Sequence, residues 1–367
     1  MKIAVLKERA LHEARVALTP DTAKKFTAAG YDVWCEKDSG ANAGFQDADY
    51  KEAGANISSV PLEIVGDADI ILKVQPTPIS DKINELEFAR AKATVIGLLS
   101  PFANMQLIQS YAAKNITSIA MELVPRITKA QNMDALSSQN NLIGYRAVIE
   151  ALNFYGKSMS MMMTSAGTLA PAKVLVLGAG VAGLQAIATA KRLGAIVSAY
   201  DVRPSSKEQV ESVGGRFIAM QEMDFETSGG YAKELGNKEQ DKQAELLMEH
   251  ASKSDIIIST AQIPGKPAPK LITKSMINNM KRGSVIVDTA VLSGGNIEGS
   301  VRDEVVQIGG VKIIGYSNIA SHIAHDSSKL YANNLYNFVI HAFSSGKFNN
   351  QDEIVKAMIV THNGKMI

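Results

Sequence analysis

Cysteine is almost absent. Cys35 is the one thiol in 367 residues, which excludes an internal disulfide framework and any cysteine-built zinc or iron–sulfur centre. Such a chain suits a reducing compartment. Charge of one sign is lacking too: 38 lysines and arginines stand against 37 aspartates and glutamates, so no overall field draws the chain to nucleic acid or anionic lipid. Long hydrophobic runs are missing. Stretches such as Val174–Leu177 are strand-length, far short of the roughly 20 residues that cross a bilayer. The opening MKIAVLKERA has no apolar signal core or small-residue cleavage site. The expectation is a cytoplasmic protein, an organelle matrix remaining open, with no direct membrane insertion. No G-x-S-x-G elbow or P-loop supports a hydrolase or an NTPase. Of six histidines only His322 and His325 lie close together, with no cysteine near, so no metal site is expected.

What the chain does have is glycine (28 residues), few aromatics and a regular alternation of β-branched runs with helical spacing. Lys2–Val5, Asp32–Cys35, Asp69–Val74, Thr94–Leu99 and Ser118–Leu123 read as buried strands. Between them Pro20–Ala29 and Met105–Lys114 read as helices, with Thr19 and Asn104 as N-caps. A long helix over about 138–156 leads to a second series of strands: Lys173–Leu177, Val197–Tyr200, Ile256–Ser259, Val285–Asp288 and Val311–Ile314. From about His322 a last helix carries Leu330, Leu335, Phe338 and Val339 on one face. The alternation implies an α/β protein of two doubly wound parallel-sheet domains. Residues 1–137 with 320–367 would form the first, and 138–319 the second. The polar stretch Gly229–His250 is expected to be a mobile loop, being too long for an ordinary α/β connection.

The informative motif is Gly178-Ala-Gly180-Val-Ala-Gly183, after the strand Lys173–Leu177 and opening a helix. Gly178 permits the tight turn, Gly180 lets backbone approach a pyrophosphate, and Gly183 lets helix pack on sheet. The helix N-terminus offers unpaired N–H groups to phosphates. Asp201, at the end of the next strand and 18 residues beyond Gly183, supplies the carboxylate that accepts hydrogen bonds from ribose hydroxyls and repels a 2′-phosphate. The expected cofactor is NAD(H). Arg203 is a possible counter-argument, since an arginine here could bind a 2′-phosphate, but Asp201 holds the strand-end position itself.

Arg126, Gln131, Asp134, Ser137, Ser138 and Gln139 cluster where one domain hands over to the next. They could hold the carboxamide and ribose of a nicotinamide. Equally they could form a structural Arg–Asp pair and cap the crossing helix through Ser137 or Ser138. The residues alone leave both readings open.

Together, KIAVLKERALHEARVALTP, MELVPRITKAQNMDALSSQNNLIGYRAVIEA, MMMTSAGTLAPAKVLVLGAGVAGLQAIATAKRLGA, DVRPSSKEQVESVGGRF, GGYAKE and IPGKPAPKLIT resemble the NAD(H)-binding component (domain I) of proton-translocating nicotinamide nucleotide transhydrogenases, in the alanine dehydrogenase/transhydrogenase superfamily. The resemblance implies two Rossmann-like domains separated by a nucleotide-binding cleft, and a homodimer docked on a membrane-embedded component and an NADP(H)-binding component. Hydride would pass from NADH to NADP⁺ on that partner, coupled to proton movement. It makes Arg126, Gln131, Asp134 and Ser137 the nicotinamide-side residues. Gly178, Gly180, Val181 and Gly183 become the pyrophosphate turn, and Asp201, Val202 and Arg203 the ribose edge. Gly230 and Tyr231 fall in a loop closing over the nucleotide, and Gln262 matches a position lining the cleft.

The relative to exclude is alanine dehydrogenase. Arg15 and Lys73 match its substrate-binding arginine and lysine. Its histidine is missing, because Val95–Asn104 contains none, and Leu292 stands where it has an aspartate. Amination then lacks its acid–base groups. A nucleotide-binding regulatory module is the remaining alternative.

Overall fold

The computed structural model describes residues 1–78, 84–218, 236–263, 266–344 and 346–367. The chain forms two units, Met1–Gln139 with Ala320–Ile367, and Asn140–Ile319. The helices of eight residues or more are α1 (Pro20–Ala28), α2 (Met105–Ala113), α3 (Ala135–Phe154), α4 (Val181–Arg192), α5 (Asn237–Lys253) and α6 (Ala324–Ala342).

In the first unit the strands are β1 (Lys2–Val5), β2 (Asp32–Glu36), β3 (Asn56–Ser58), β4 (Ile70–Leu72), β5 (Thr94–Gly97) and β6 (Thr117–Ala120). They lie parallel in the order 3-2-1-4-5-6, with Ile3 opposite both Val33 and Ile70. This is the doubly wound order, reversing direction at β1. The central strands β1, β4, β5 and β6 are buried on both faces. Ile3 and Val5 enter one core layer with Phe26, Leu335 and Phe338, while Ala4 and Leu6 enter another with Ile108 and Tyr111. Alternate side chains point to opposite faces, so an unbroken apolar run is what a sheet covered on both sides needs.

A hairpin of β7 (Met162–Thr164) and β8 (Gly167–Leu169) precedes the second sheet. That sheet contains β9 (Lys173–Leu177), β10 (Ile196–Tyr200), β11 (Arg216–Ile218), β12 (Ile256–Ser259), β13 (Val285–Asp288), β14 (Val305–Ile308) and β15 (Val311–Ile314). The order is 11-10-9-12-13-15-14, parallel except for β14. β9 sits at the switch point, Leu175 opposite Ser198 on one side and Ile257 on the other. The chain then returns to the first sheet, where β16 (Ile359–His362) runs antiparallel to β6 and β17 (Lys365–Met366) closes the edge.

The α/β expectation with two doubly wound sheets matches this architecture. Local predictions fare unevenly. α1 starts as expected: Thr19 and Thr22 form a capping box, and Pro20, with its φ already set, fills the first helical position. Asn104 sits at the N-cap of α2 but does not cap it. Its Nδ2 donates instead to the Leu99 carbonyl, 2.8 Å away.

Three strands are shorter than read, two of them because carboxylates take the amides that would prolong them. Val74 N–H donates to Glu8 Oε1 at 2.8 Å, ending β4. Leu99 N–H and Ser100 N–H both donate to Glu122, ending β5. Glu122 itself lies in a 3₁₀ turn, Met121–Leu123, where the sequence suggested more of β6.

The loop expected over Gly229–His250 is corrected in its described part. Residues from Asn237 are helix α5, with Ala244, Leu247 and Ala251 against the second unit's core. Those positions are spaced three and four apart, a helical period that the dense charge between them obscures.

Candidate functional site

In the second unit the glycine turn leaves β9 at the switch point. Gly178 has φ +92°, a left-handed conformation that costs glycine little. Its N–H donates to the Tyr200 carbonyl at 2.8 Å. Gly183 tolerates nothing larger: a Cβ there would stand 1.8 Å from the Gly178 carbonyl oxygen, so α4 rests on the turn itself. Gly180 differs. It occupies the N-cap of α4, and a Cβ on it would meet no neighbouring atom within 4 Å. Space is therefore open beside the first N–H groups of α4, where helix polarity favours an anion. Val181, the first residue of α4, is exposed.

Asp201 is 9% exposed and fully engaged. Its Oδ2 accepts from Ala179 N–H at 2.7 Å, which ties the carboxylate to the turn. Arg203 grips both oxygens, with Nε on Oδ1 at 2.8 Å and Nη2 on Oδ2 at 2.9 Å, while its backbone N–H also donates to Oδ1. Val202 is half-buried against the apolar layer around Tyr200. Gln262 is exposed, its Nε2 donating to the Thr289 carbonyl at 3.4 Å. Gly230 and Tyr231 lie outside the described residues.

Two residues of this turn escape the motif. Thr260, following β12, lies against Gly178 and donates its hydroxyl to the Leu177 or Gly178 carbonyl at 3.2 and 3.1 Å. Gly144 on α3 faces Ala182, whose carbonyl oxygen would be 2.0 Å from a Cβ. The neighbouring strand at the switch point is the available signal for Thr260. Nothing in the sequence singles out Gly144.

In the first unit the segment after β6 carries the other candidates. Arg126 is exposed. Gln131 is exposed too, within a 3₁₀ turn, Thr128–Met133, anchored by buried Ala130 and Met133. Asp134 and Ser137 come together: Asp134 Oδ1 accepts from Ser137 N–H at 2.9 Å, and its Oδ2 from the Ser137 hydroxyl at 2.5 Å. Asp134 is thus the residue that caps α3, and the alternative that made Ser137 or Ser138 the cap has donor and acceptor reversed.

Arg15 and Lys73 are buried and already paired. Arg15 makes two charge-assisted hydrogen bonds to Glu13, of 2.8 and 2.7 Å, and one to Gln139 Oε1 of 2.8 Å. Lys73 Nζ lies 3.3 Å from Glu8 Oε2. Burial pushes the Glu8 carboxyl up to about 7 against the opposing pull of Lys73. At the β13 end Leu292 is exposed.

Family models bear on these units. Residues 4–143 match the model described as alanine dehydrogenase/PNT, N-terminal domain, and residues 147–367 match alanine dehydrogenase/PNT, C-terminal domain. The chain belongs to this family. Within it, the first of the polypeptides that make up NAD(P) transhydrogenase subunit alpha in Rickettsia prowazekii is 56% identical, over all of this chain and 96% of that protein. Its namesake from Rhodospirillum rubrum is 46% identical over all of this chain and 98% of its own. Alanine dehydrogenase of Halomonas elongata is 30% identical over all of this chain and 94% of its own. Among solved structures, a transhydrogenase from Sinorhizobium meliloti superposes with a TM-score of 0.91 at 45% identity, each chain fully covered. An L-alanine dehydrogenase at 23% identity and TM-score 0.84, over all of this chain and 97% of that one, shares the fold. Among the described residues no helix is long and apolar enough to cross a membrane.

Proposed function

We propose that the chain is the NAD(H)-binding component of a proton-translocating transhydrogenase. It would pass hydride directly to NADP⁺ on a partner component, with a membrane-embedded component coupling the transfer to proton movement. The observation that carries the reading is Asp201, fixed by Ala179 N–H at the rim of the glycine turn. That geometry fits a dinucleotide: an open approach at Gly180, a helix N-terminus for the pyrophosphate, and a strand-end carboxylate for the ribose.

Bound NADH supplies the hydride, and the chain's own residues have to bind, orient and exclude water. Asp201 accepts the ribose hydroxyls in exchange for contacts it now takes from Arg203, keeping Ala179 N–H, with Val202 and Arg203 beside it. Gly178, Gly180, Val181 and Gly183 present the turn to the pyrophosphate. Arg126, Gln131, Asp134 and Ser137 hold the nicotinamide end. The Ser137 hydroxyl, its proton committed to Asp134, keeps lone pairs for a carboxamide N–H. Gln262, Gly230 and Tyr231 complete the nucleotide-binding set. No general base is required, since hydride moves between two rings. The missing histidine in Val95–Asn104 and Leu292 at the aspartate position remove the groups that amino-acid oxidation needs. The active form is a homodimer, cytoplasmic and held at the membrane through its partner subunits.

The deciding experiment mixes the purified chain with an NADP(H)-binding transhydrogenase component and follows hydride transfer from NADH to an NADP⁺ analogue. Transfer is expected. NADH binding without transfer would make the chain a regulatory module.

A further inference from the structure

We propose that Asn334, on α6, is a positioning residue for the nicotinamide-side segment, acting through the Asn132 carbonyl and Ser138. The inference rests on the reading of Gln131, Asp134 and Ser137 given above.

The 3₁₀ turn Thr128–Met133 has no side-chain cap at Ile127, and 3₁₀ hydrogen bonds are poorly aligned, so the turn needs support from outside. Buried Ala130 and Met133 anchor it on the apolar side. On the polar side the support comes from a helix some 200 residues away in sequence. Asn334 Nδ2 donates to the Asn132 carbonyl at 2.9 Å, and Asn337 Nδ2 donates to the same oxygen at 3.1 Å. Both lone pairs of that carbonyl are then used. On its other side Asn334 Oδ1 accepts from the Ser138 hydroxyl at 2.7 Å. The amide orientation follows from its partners: a carbonyl only accepts, so the NH₂ must face Asn132.

One buried side chain, 7% exposed, thus bridges the end of the turn and the first turn of α3. Asp134 and Ser137 lie between the two bridged points, and Gln131 adjoins one of them. A buried asparagine bonded through both its amide nitrogen and its amide oxygen fixes backbone more firmly than apolar contact, because a shift leaves polar groups unpaired.

The test uses the full chain with an NADP(H)-binding component. Asn334→Leu keeps the branching at Cγ and removes both hydrogen bonds. Asn334→Asp keeps an acceptor for Ser138 but turns an acceptor toward the Asn132 carbonyl. Both should lower the single-turnover hydride-transfer rate about tenfold or more, since displacements of about 1 Å are costly there. NADH affinity, read by fluorescence, should stay within about twofold because the second unit's contacts are untouched. Asn333→Ala, the neighbouring amide that meets Lys25 instead, should leave the rate unchanged. An unchanged rate per folded molecule in both Asn334 variants overturns the proposal, as does NADH affinity falling in step with rate. Should the Asn334 variants not fold, Asn337→Ala, which removes one of the two donors, decides in the same way. Asp134→Asn is measured alongside. If it slows transfer and the Asn334 variants do not, only the positioning role fails; if it also leaves the rate intact, the reading of the nicotinamide-side residues fails with it.

Discussion

Arg203 clamps Asp201 in a two-point pair, Nε to Oδ1 at 2.8 Å and Nη2 to Oδ2 at 2.9 Å, while Ala179 N–H holds the same carboxylate from the other side. The residue that could have bound a 2′-phosphate is therefore spent on the residue that repels one. Fork-to-carboxylate pairing of this kind is geometrically specific and restrains both partners.

Nucleotide choice follows. The chain should bind NADH far more tightly than NADPH. Asp201→Ala should weaken NADH by about 10- to 100-fold, the loss of hydrogen bonds to a charged acceptor, and should release Arg203 for a phosphate so that the preference relaxes. Fluorescence titration of both nucleotides checks it. Equal affinities in the unsubstituted protein would remove Asp201 from the site.

Two glycines of one motif should fail differently. Gly183→Ala places a Cβ 1.8 Å from the Gly178 carbonyl oxygen, so α4 must move, and the fold should lose roughly 1–3 kcal/mol or more, as overpacked sites do. Gly180→Ala meets nothing in the protein, and its φ of −77° suits alanine. It should leave the melting temperature in place while NADH affinity falls, because the methyl stands where the pyrophosphate approaches. Thermal melts and nucleotide titration of both variants separate the cases.

Much of this is legible in the sequence, for reasons that lie in its pattern. Strands buried on both faces give continuous apolar runs, and Lys173–Leu177 with the glycines behind it declares strand, turn and helix in 11 residues. Strand ends are not legible. Glu8 and Glu122 reach them from distant elements to take the amides of Val74, Leu99 and Ser100, and no local spacing reports that. The cap of α3 is not legible in the residues because serine and aspartate both cap well, and only the fold shows which donates. Asn334 is invisible, since its partners, Asn132 and Ser138, are about 200 positions away.

Amino-acid oxidation should be absent. Arg15 is bound by Glu13 and Gln139, and no histidine or aspartate stands at the acid–base positions. Incubation with alanine and NAD⁺, or with pyruvate, ammonia and NADH, should show no turnover above background. Robust turnover would reverse the assignment to the transhydrogenase side of the family.

The Glu8–Lys73 pair should give stability a neutral-range pH dependence. Burial raises the Glu8 carboxyl from 4.5 to about 7 in the fold. Between those values the folded chain keeps a proton that the unfolded chain has released, so this group's contribution falls as pH rises from 4.5 and is fully lost above about 7. Glu8→Gln alone would strand the Lys73 ammonium in an apolar interior. The double variant Glu8→Gln/Lys73→Met is the cleaner comparison, since exchanging a buried ion pair for uncharged groups is often neutral or stabilising. Chemical denaturation at pH 5.5 and 7.5 should show a smaller difference in the double variant than in the parent. An equal difference would place the dependence elsewhere.

Arg126 decides whether the segment after β6 orients a ring or only braces the fold. It is exposed, on the chain leaving the 3₁₀ turn at Met121–Leu123, and the cap of α3 is supplied by Asp134, to which Ser137 donates. A side chain so placed contributes little to packing, so Arg126→Ala should leave the melting temperature nearly unchanged. NADH affinity should also fall little, because Asp201 and the glycine turn still hold the adenosine and pyrophosphate. The loss should appear in the single-turnover rate of hydride transfer, where misorientation of the reacting atoms is felt most, by about tenfold to a hundredfold. Gln131→Ala should behave alike on a smaller scale, lacking the charge. A lower melting temperature with an unchanged rate per folded molecule would assign Arg126 to structure and strike it from the site.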